Sequence, residues 1–190
     1  MNAAPLVFIT GASSGIGQAL AVELARRGTH LSLTDIDTDG LARTVADCEG
    51  RGVKVTSRRL DVADRDAIYE SADSVPAEHG HINMLFNNAG VFTAGLPIDE
   101  LPVEAWRDAV DVNLTGAFLC TREAFRLMKK QSPRGGRIGP GPLIFPGLSA
   151  FLPSFLPPGR QALLPPCLRA FIPSSTQTRF TSRISSATSS

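Results

Sequence analysis

Residues 10–17 read Thr-Gly-Ala-Ser-Ser-Gly-Ile-Gly, placed between a short apolar run and the start of a helical pattern. Glycines at this spacing, between a predicted strand and a predicted helix, suit the binding of a dinucleotide. Gly11 permits the tight turn, Gly15 lets the backbone approach a pyrophosphate, and Gly17 lets the helix pack closely on the strand. The helix N-terminus adds N–H groups that the helix itself does not use, and these attract phosphate. Ser13 and Ser14 are the further candidate contacts of this loop, and Ser14 brings no charge to it. A glycine-rich turn with no ligand is the plainer alternative.

Asp35 closes the second predicted strand, 24 positions after Gly11. An acidic side chain there accepts hydrogen bonds from ribose hydroxyls and repels a 2′-phosphate. The residues that follow, Ile36-Asp37-Thr38-Asp39, include no Arg or Lys. NAD is therefore expected over NADP. Asp35 could instead cap the next helix, a role that better suits Asp37 or Asp39.

The elements that must position these residues alternate in the manner of βαβ units around a parallel sheet. Strands are expected at 5–10, 30–35, 53–59 and 82–87. Helices are expected at 15–27, 39–49, 65–78 and 104–130. Ile16, Leu20 and Leu24 share one face of the first helix, and Gly28 stands as its stop. The longest helix has a predicted inward stripe of Trp106, Val110, Leu114, Ala117, Phe118, Thr121 and Phe125. Residues 135–138, Gly-Gly-Arg-Ile, read as the turn into a fifth strand. The fold expected is a doubly wound α/β domain of Rossmann type over 1–138, incomplete after the start of that strand.

Residues 87–90, Asn-Asn-Ala-Gly, end the fourth strand, and residues 112–116, Val-Asn-Leu-Thr-Gly, lie within the long helix. Together with the glycine turn, in this order, they make residues 1–138 resemble the short-chain dehydrogenases/reductases. The resemblance implies hydride transfer between a nicotinamide and an alcohol or carbonyl substrate. It implies that Asp61 and Val62 sit against the adenine, Asn88, Ala89 and Gly90 near the adenosine ribose, and Ile16 beside the pyrophosphate and nicotinamide. Asn113 would be the asparagine of the family's catalytic tetrad, although an asparagine in an apolar helix stripe also needs partners for its amide and could be purely structural. A homo-oligomer, with the long helix at one interface, is a further implication of the resemblance.

The family's tyrosine, the lysine four residues after it and the serine of the fifth strand cannot be placed in this sequence. The sole tyrosine is Tyr69, followed four residues on by Asp73, and the lysines are Lys54, Lys129 and Lys130. Ser149 and Ser154 are weak candidates for the serine, since neither ends a recognisable strand. Losing a general acid/base costs about 10² to 10⁴ in rate, so no useful turnover is expected.

Composition changes near residue 138. All 18 acidic residues precede it, with 15 of the 19 Lys and Arg, whereas residues 139–190 hold nine of the 14 prolines and nine serines. Such proline density forbids a long helix or an internal strand, and the segment reads as an irregular or disordered tail. Three readings follow: the tail is an out-of-frame or mis-spliced continuation of a complete oxidoreductase, the chain is a non-catalytic nucleotide-binding or interaction module, or it is an inert product. The formal charge of +1 gives no field for nucleic acid or anionic lipid. No apolar run is long enough to span a bilayer and the start resembles a strand, so a cytoplasmic setting is expected. Cys48, Cys120 and Cys167 lie too far apart for a zinc motif, and His79 and His81 read as a solvated loop, so no metal is expected.

Overall fold

The computed structural model describes residues 4–92, 97 and 99–139. The expectations for Ser149, Ser154, Cys167 and the Pro/Ser-rich stretch from 140 onward lie outside the described residues. Contacts divide the chain into units of residues 1–143 and 144–190, and everything below belongs to the first.

Five parallel strands form one sheet in the order β3-β2-β1-β4-β5. They are β1 (Leu6–Thr10), β2 (His30–Asp35), β3 (Val55–Arg59), β4 (Met84–Phe86) and β5 (Arg137–Gly139). All five residues of β1 are buried, as a central strand covered on both faces must be. Helices α1 (Gly15–Arg26) and α2 (Thr38–Cys48) follow β1 and β2, and α3 (Arg65–His79) follows β3. The chain reverses its direction of travel across the sheet between β1 and β4. At such a switch point, loops from the two strands part and leave a crevice at their C-terminal ends.

Three elements run on without a break where the sequence suggests one long helix: α4 (Val103–Val110), a π-helical segment (Asp111–Gly116) and α5 (Ala117–Lys130). The main core joins Leu6, Phe8 and Leu85 of the sheet to Ile68 and Val75 of α3 and to Cys120, Ala124 and Met128 of α5.

One packing expectation is corrected here, and one helical face is refined. In α1 the buried residues are Gly17, Ala21 and Ala25, whereas Ile16, Leu20 and Leu24 are half-buried one position around the helix. Small side chains let the helix axis approach the sheet, so the larger ones are pushed to the flank. The large residues of the stripe predicted to face inward on the long helix face out: Trp106, Leu114, Phe118 and Phe125 are 56–61% exposed, while Val110, Ala117 and Thr121 are half-buried. Asn113, Gly116, Cys120, Ala124 and Met128 face the core instead. Periodicity fits both faces equally well, and the closer approach of small residues decides between them.

At the opposite end of the sheet from the switch point, His79 places Nε2 2.8 Å from Thr56 Oγ1, while its Nδ1 is buried with no partner among the described residues. Burial first, and then the charge of Lys54, hold this imidazole below its ordinary pKa of 6.5; Glu78 acts the other way, and His30 and His81 add to the lowering. The folded state therefore prefers neutral His79. Its contribution to stability is complete above about pH 6.5 and is lost as pH falls through the lower folded value. Denaturant unfolding should show a lower midpoint at pH 5 than at pH 7.5, with a smaller drop in His79→Gln. Equal drops in the two proteins would remove His79 from the account.

Candidate functional site

The C-terminal ends of β1 and β4 are tied together through one hydroxyl. Thr10 Oγ1 accepts hydrogen bonds from the backbone N–H groups of Asn88, at 3.0 Å, and Ala89, at 3.1 Å. Asn88 returns the contact, its Nδ2 donating to the Gly11 carbonyl at 2.7 Å. The glycine turn is thus fixed against residues 87–90. Gly11 has φ +68°, and a Cβ there would lie 2.7 Å from Ala89 Cα. A Cβ on Gly17 would collide with the Gly11 carbonyl oxygen and with the Asn88 amide. Both glycines are demanded by backbone proximity.

Gly15 differs from both. It has φ +56°, yet nothing lies within 4 Å of where its Cβ would be, so the space over it is open. Beside that space lies the N-terminus of α1. Asp37 caps α2 and Asp64 caps α3, each accepting two backbone N–H bonds, whereas Ser14 makes no side-chain capping bond to α1. The first turn of α1 therefore presents N–H groups with their partial positive charge to the opening left by Gly15, an arrangement suited to a diphosphate.

Asp35 stands at the rim of the same opening. Its Oδ2 accepts from Ser13 N at 2.9 Å and its Oδ1 from Asp37 N at 3.0 Å. It does not cap α2; Asp37, one of the two residues expected to, does. Two N–H bonds fix the carboxylate and leave lone pairs for ribose hydroxyls. The sequence neighbours of Asp35 carry no basic group, but the sheet supplies one: Arg59 is its register partner on β3.

Asp61 turns the chain after β3, accepting from Ala63 N at 2.9 Å. Val62 is buried in the core cluster beside it. Gly116 lets the π-helical segment press against this turn, since a Cβ there would lie 2.5 Å from the Val62 carbonyl oxygen. Asn113, in the same segment, is buried and uses both ends of its amide on one residue. Oδ1 accepts from Val91 N at 2.9 Å, and Nδ2 donates to Val91 O at 2.8 Å. Its side chain holds the loop that begins at Gly90.

The structure thus gathers Gly11, Ser13, Ser14, Gly15, Ile16, Gly17, Asp35, Asn88, Ala89 and Gly90 around the switch point, with Asp61 and Val62 on the next loop along the rim. Tyr69 lies elsewhere, on α3, where its hydroxyl accepts from Arg122 Nη2 at 2.6 Å and Arg122 stacks 5.3 Å from its ring centroid. Among the described residues no group of His, Cys, Asp and Glu could hold a metal. Arg59 and Val91 escaped the sequence reading, and Thr10 entered it only as the first residue of the glycine motif, with no role. Only the Asn-Asn-Ala-Gly motif hinted at the partner of Thr10.

Comparison with known proteins identifies the family. The model of the short chain dehydrogenase family matches residues 5–138, and the chain belongs to that family. Over 111 residues it is 44% identical to SadH of Mycobacterium tuberculosis, an alignment covering 58% of this chain and 40% of SadH. It is 38% identical over 125 residues to the cis-4-hydroxycyclohexanecarboxylate dehydrogenase of Sinomonas cyclohexanicum, covering 65% of this chain and 49% of the relative. Among solved structures, NAD+-bound xylitol dehydrogenase superposes with a TM-score of 0.67 at 34% identity, over 70% of this chain and 51% of that one. The chain spans about half the length of the relatives it matches.

Thr10→Val tests the clamp. It keeps the shape of the side chain but removes the acceptor of two backbone N–H groups, each costing roughly 1–3 kcal/mol when left buried and unpaired. An unfolding free energy lower by at least ~1 kcal/mol is expected, and an unchanged denaturant midpoint would refute the clamp.

Proposed function

We propose that residues 5–139 are the cofactor-holding part of an NAD-dependent oxidoreductase of the short-chain type, and that this chain binds NAD(H) without turning over substrate. The observation that carries the reading is the uncapped N-terminus of α1, facing the open space over Gly15 with Asp35 at its rim. The first-turn N–H groups of α1 would hold the pyrophosphate, Asp35 the adenosine ribose, and Asp61 and Val62 would border the adenine. Asn88, Ala89 and Gly90 would close the opposite wall, with Ile16 toward the nicotinamide. When bound, the cofactor supplies hydride exchange with an alcohol or carbonyl carbon.

The accompanying proton needs a donor in reach. Tyr69 is engaged by Arg122 on the outer surface of α3, and no lysine stands four residues after it. That supports binding without catalysis in this chain. Asn113 spends its amide on Val91, which favours a positioning role for its side chain. Both Cys48 and Cys120 are buried and unpaired, and burial pushes the Cys120 thiol up to about 12. Inert, reduced thiols suit a cytoplasmic protein.

Titration of NADH into the purified chain, followed by nicotinamide fluorescence, should saturate, and Asp35→Ala should weaken it at least ~tenfold, as expected for losing hydrogen bonds to a charged acceptor. Failure of NADH to bind would overturn the reading. Alcohol-dependent NADH production that Asn113→Ala abolishes would overturn its non-catalytic part.

The apolar face of α4 and α5 supports a second element of the proposal, self-association. Trp106, Leu114, Phe118 and Phe125 recur at spacings suited to one side of the continuous helix, and like faces of two copies can pack on each other about a two-fold axis. Sedimentation should show a dimer for the unaltered chain and a shift toward monomer for Phe118→Glu. A chain that stays monomeric at tens of micromolar would exclude this contact.

A further inference from the structure

Arg59 ends β3 directly beside Asp35. In the parallel pairing of β2 and β3 the two are register partners, and Leu60 N donates to the Asp35 carbonyl at 2.9 Å. Side chains of register partners project from the same face of a sheet, on strands about 4.8 Å apart. Alternation along β3 identifies that face. Thr56 and Arg58 reach His79 and Glu78 of α3, so Arg59 projects from the other side, the side of Asp35 and the glycine turn.

The guanidinium is exposed, and among the described residues it makes no hydrogen bond or ion pair. Neighbouring arginines are engaged: Arg58 pairs with Glu78 and Arg65 with Asp66. Asp35 does not neutralise Arg59, because its two oxygens are turned to the backbone N–H groups of Ser13 and Asp37. A fixed carboxylate and a free guanidinium thus stand side by side where the ribose would lie. One repels a 2′-phosphate, and the other has the planar donor array that grips one.

We infer that Arg59 is a specificity-determining residue: a ready-made 2′-phosphate contact whose effect Asp35 opposes, so that preference for NAD over NADP rests on the single charge of Asp35. This rests on the nucleotide-binding reading above and extends it to a residue 24 positions further along the chain.

The test uses the full 190-residue chain and two probes of the adenosine end, 5′-AMP and adenosine 2′,5′-bisphosphate, titrated calorimetrically at low salt. Arg59→Ala should weaken the bisphosphate about tenfold, the order expected for one charge-assisted contact, while changing 5′-AMP less than about twofold. Asp35→Asn should tighten the bisphosphate about tenfold, and Asp35→Asn with Arg59→Ala should lose most of that gain. Equal weakening of both probes by Arg59→Ala would make Arg59 a general adenine contact and overturn the inference, as would no weakening of either. If Asp35→Asn fails to fold, the Arg59→Ala comparison on unaltered Asp35 still decides. Binding of NADH with a bisphosphate affinity indifferent to Arg59 would overturn this inference alone, whereas no binding of any probe or of NADH would overturn the parent reading with it.

Discussion

One shared hydroxyl holds the switch-point end of this fold together. Thr10 Oγ1 accepts the N–H groups of both Asn88 and Ala89, and it does so at the sheet's switch point, where β1 and β4 send their loops apart. Two loops with no ladder bonds between them would otherwise be free to separate. With the clamp in place, Asn88 reaches the Gly11 carbonyl, Gly11 is forced against Ala89, and Gly17 must remain without a side chain. The position of the α1 N-terminus follows from these contacts. The wall opposite it is set by the same network one step further on, because Asn113 holds Val91 at both backbone atoms. Asn87 continues the chain of contacts by donating to Thr121 of α5 at 2.9 Å.

Rigid backbone around an open space is what a preorganised anion site requires. Side-chain caps on α2 and α3 satisfy the orphan N–H groups internally, and each cap is an aspartate. Had Ser14 been an aspartate capping α1, the same groups would be satisfied and a negative charge would stand beside the opening over Gly15. Leaving α1 uncapped forgoes a stabilising contact of about 1 kcal/mol in the free protein. The N–H groups of its first turn stay without a side-chain partner in return.

How much of this could be read from residue order depends on the range of each interaction. Strand and helix order, the glycine turn, Gly28 as a stop and Asp37 as a cap are local, and they were legible. The inward face of the long helix was not. Trp106, Leu114, Phe118 and Phe125 satisfy helical periodicity as well as Asn113, Gly116, Cys120, Ala124 and Met128 do, and hydrophobicity alone favours the wrong set. What decides is approach distance, since Gly116 must pass within contact of the Val62 carbonyl. The surroundings of Asp35 were misjudged for a similar reason. Its sequence neighbours are acidic or neutral, while Arg59 reaches it only through the register of β2 and β3.

The two faces of the α4–α5 region carry a further consequence. Packing small residues inward brings the helix close enough for Asn113 to reach the Val91 backbone, so close approach and loop fixation are one event. Large residues then have nowhere to go but outward, and their exposure is the geometric complement of a tight inner face. An apolar outer surface of this size is costly to leave in water. One helix thus carries its small side chains inward, toward the core and the loop at residue 91, and its large ones on the outer surface.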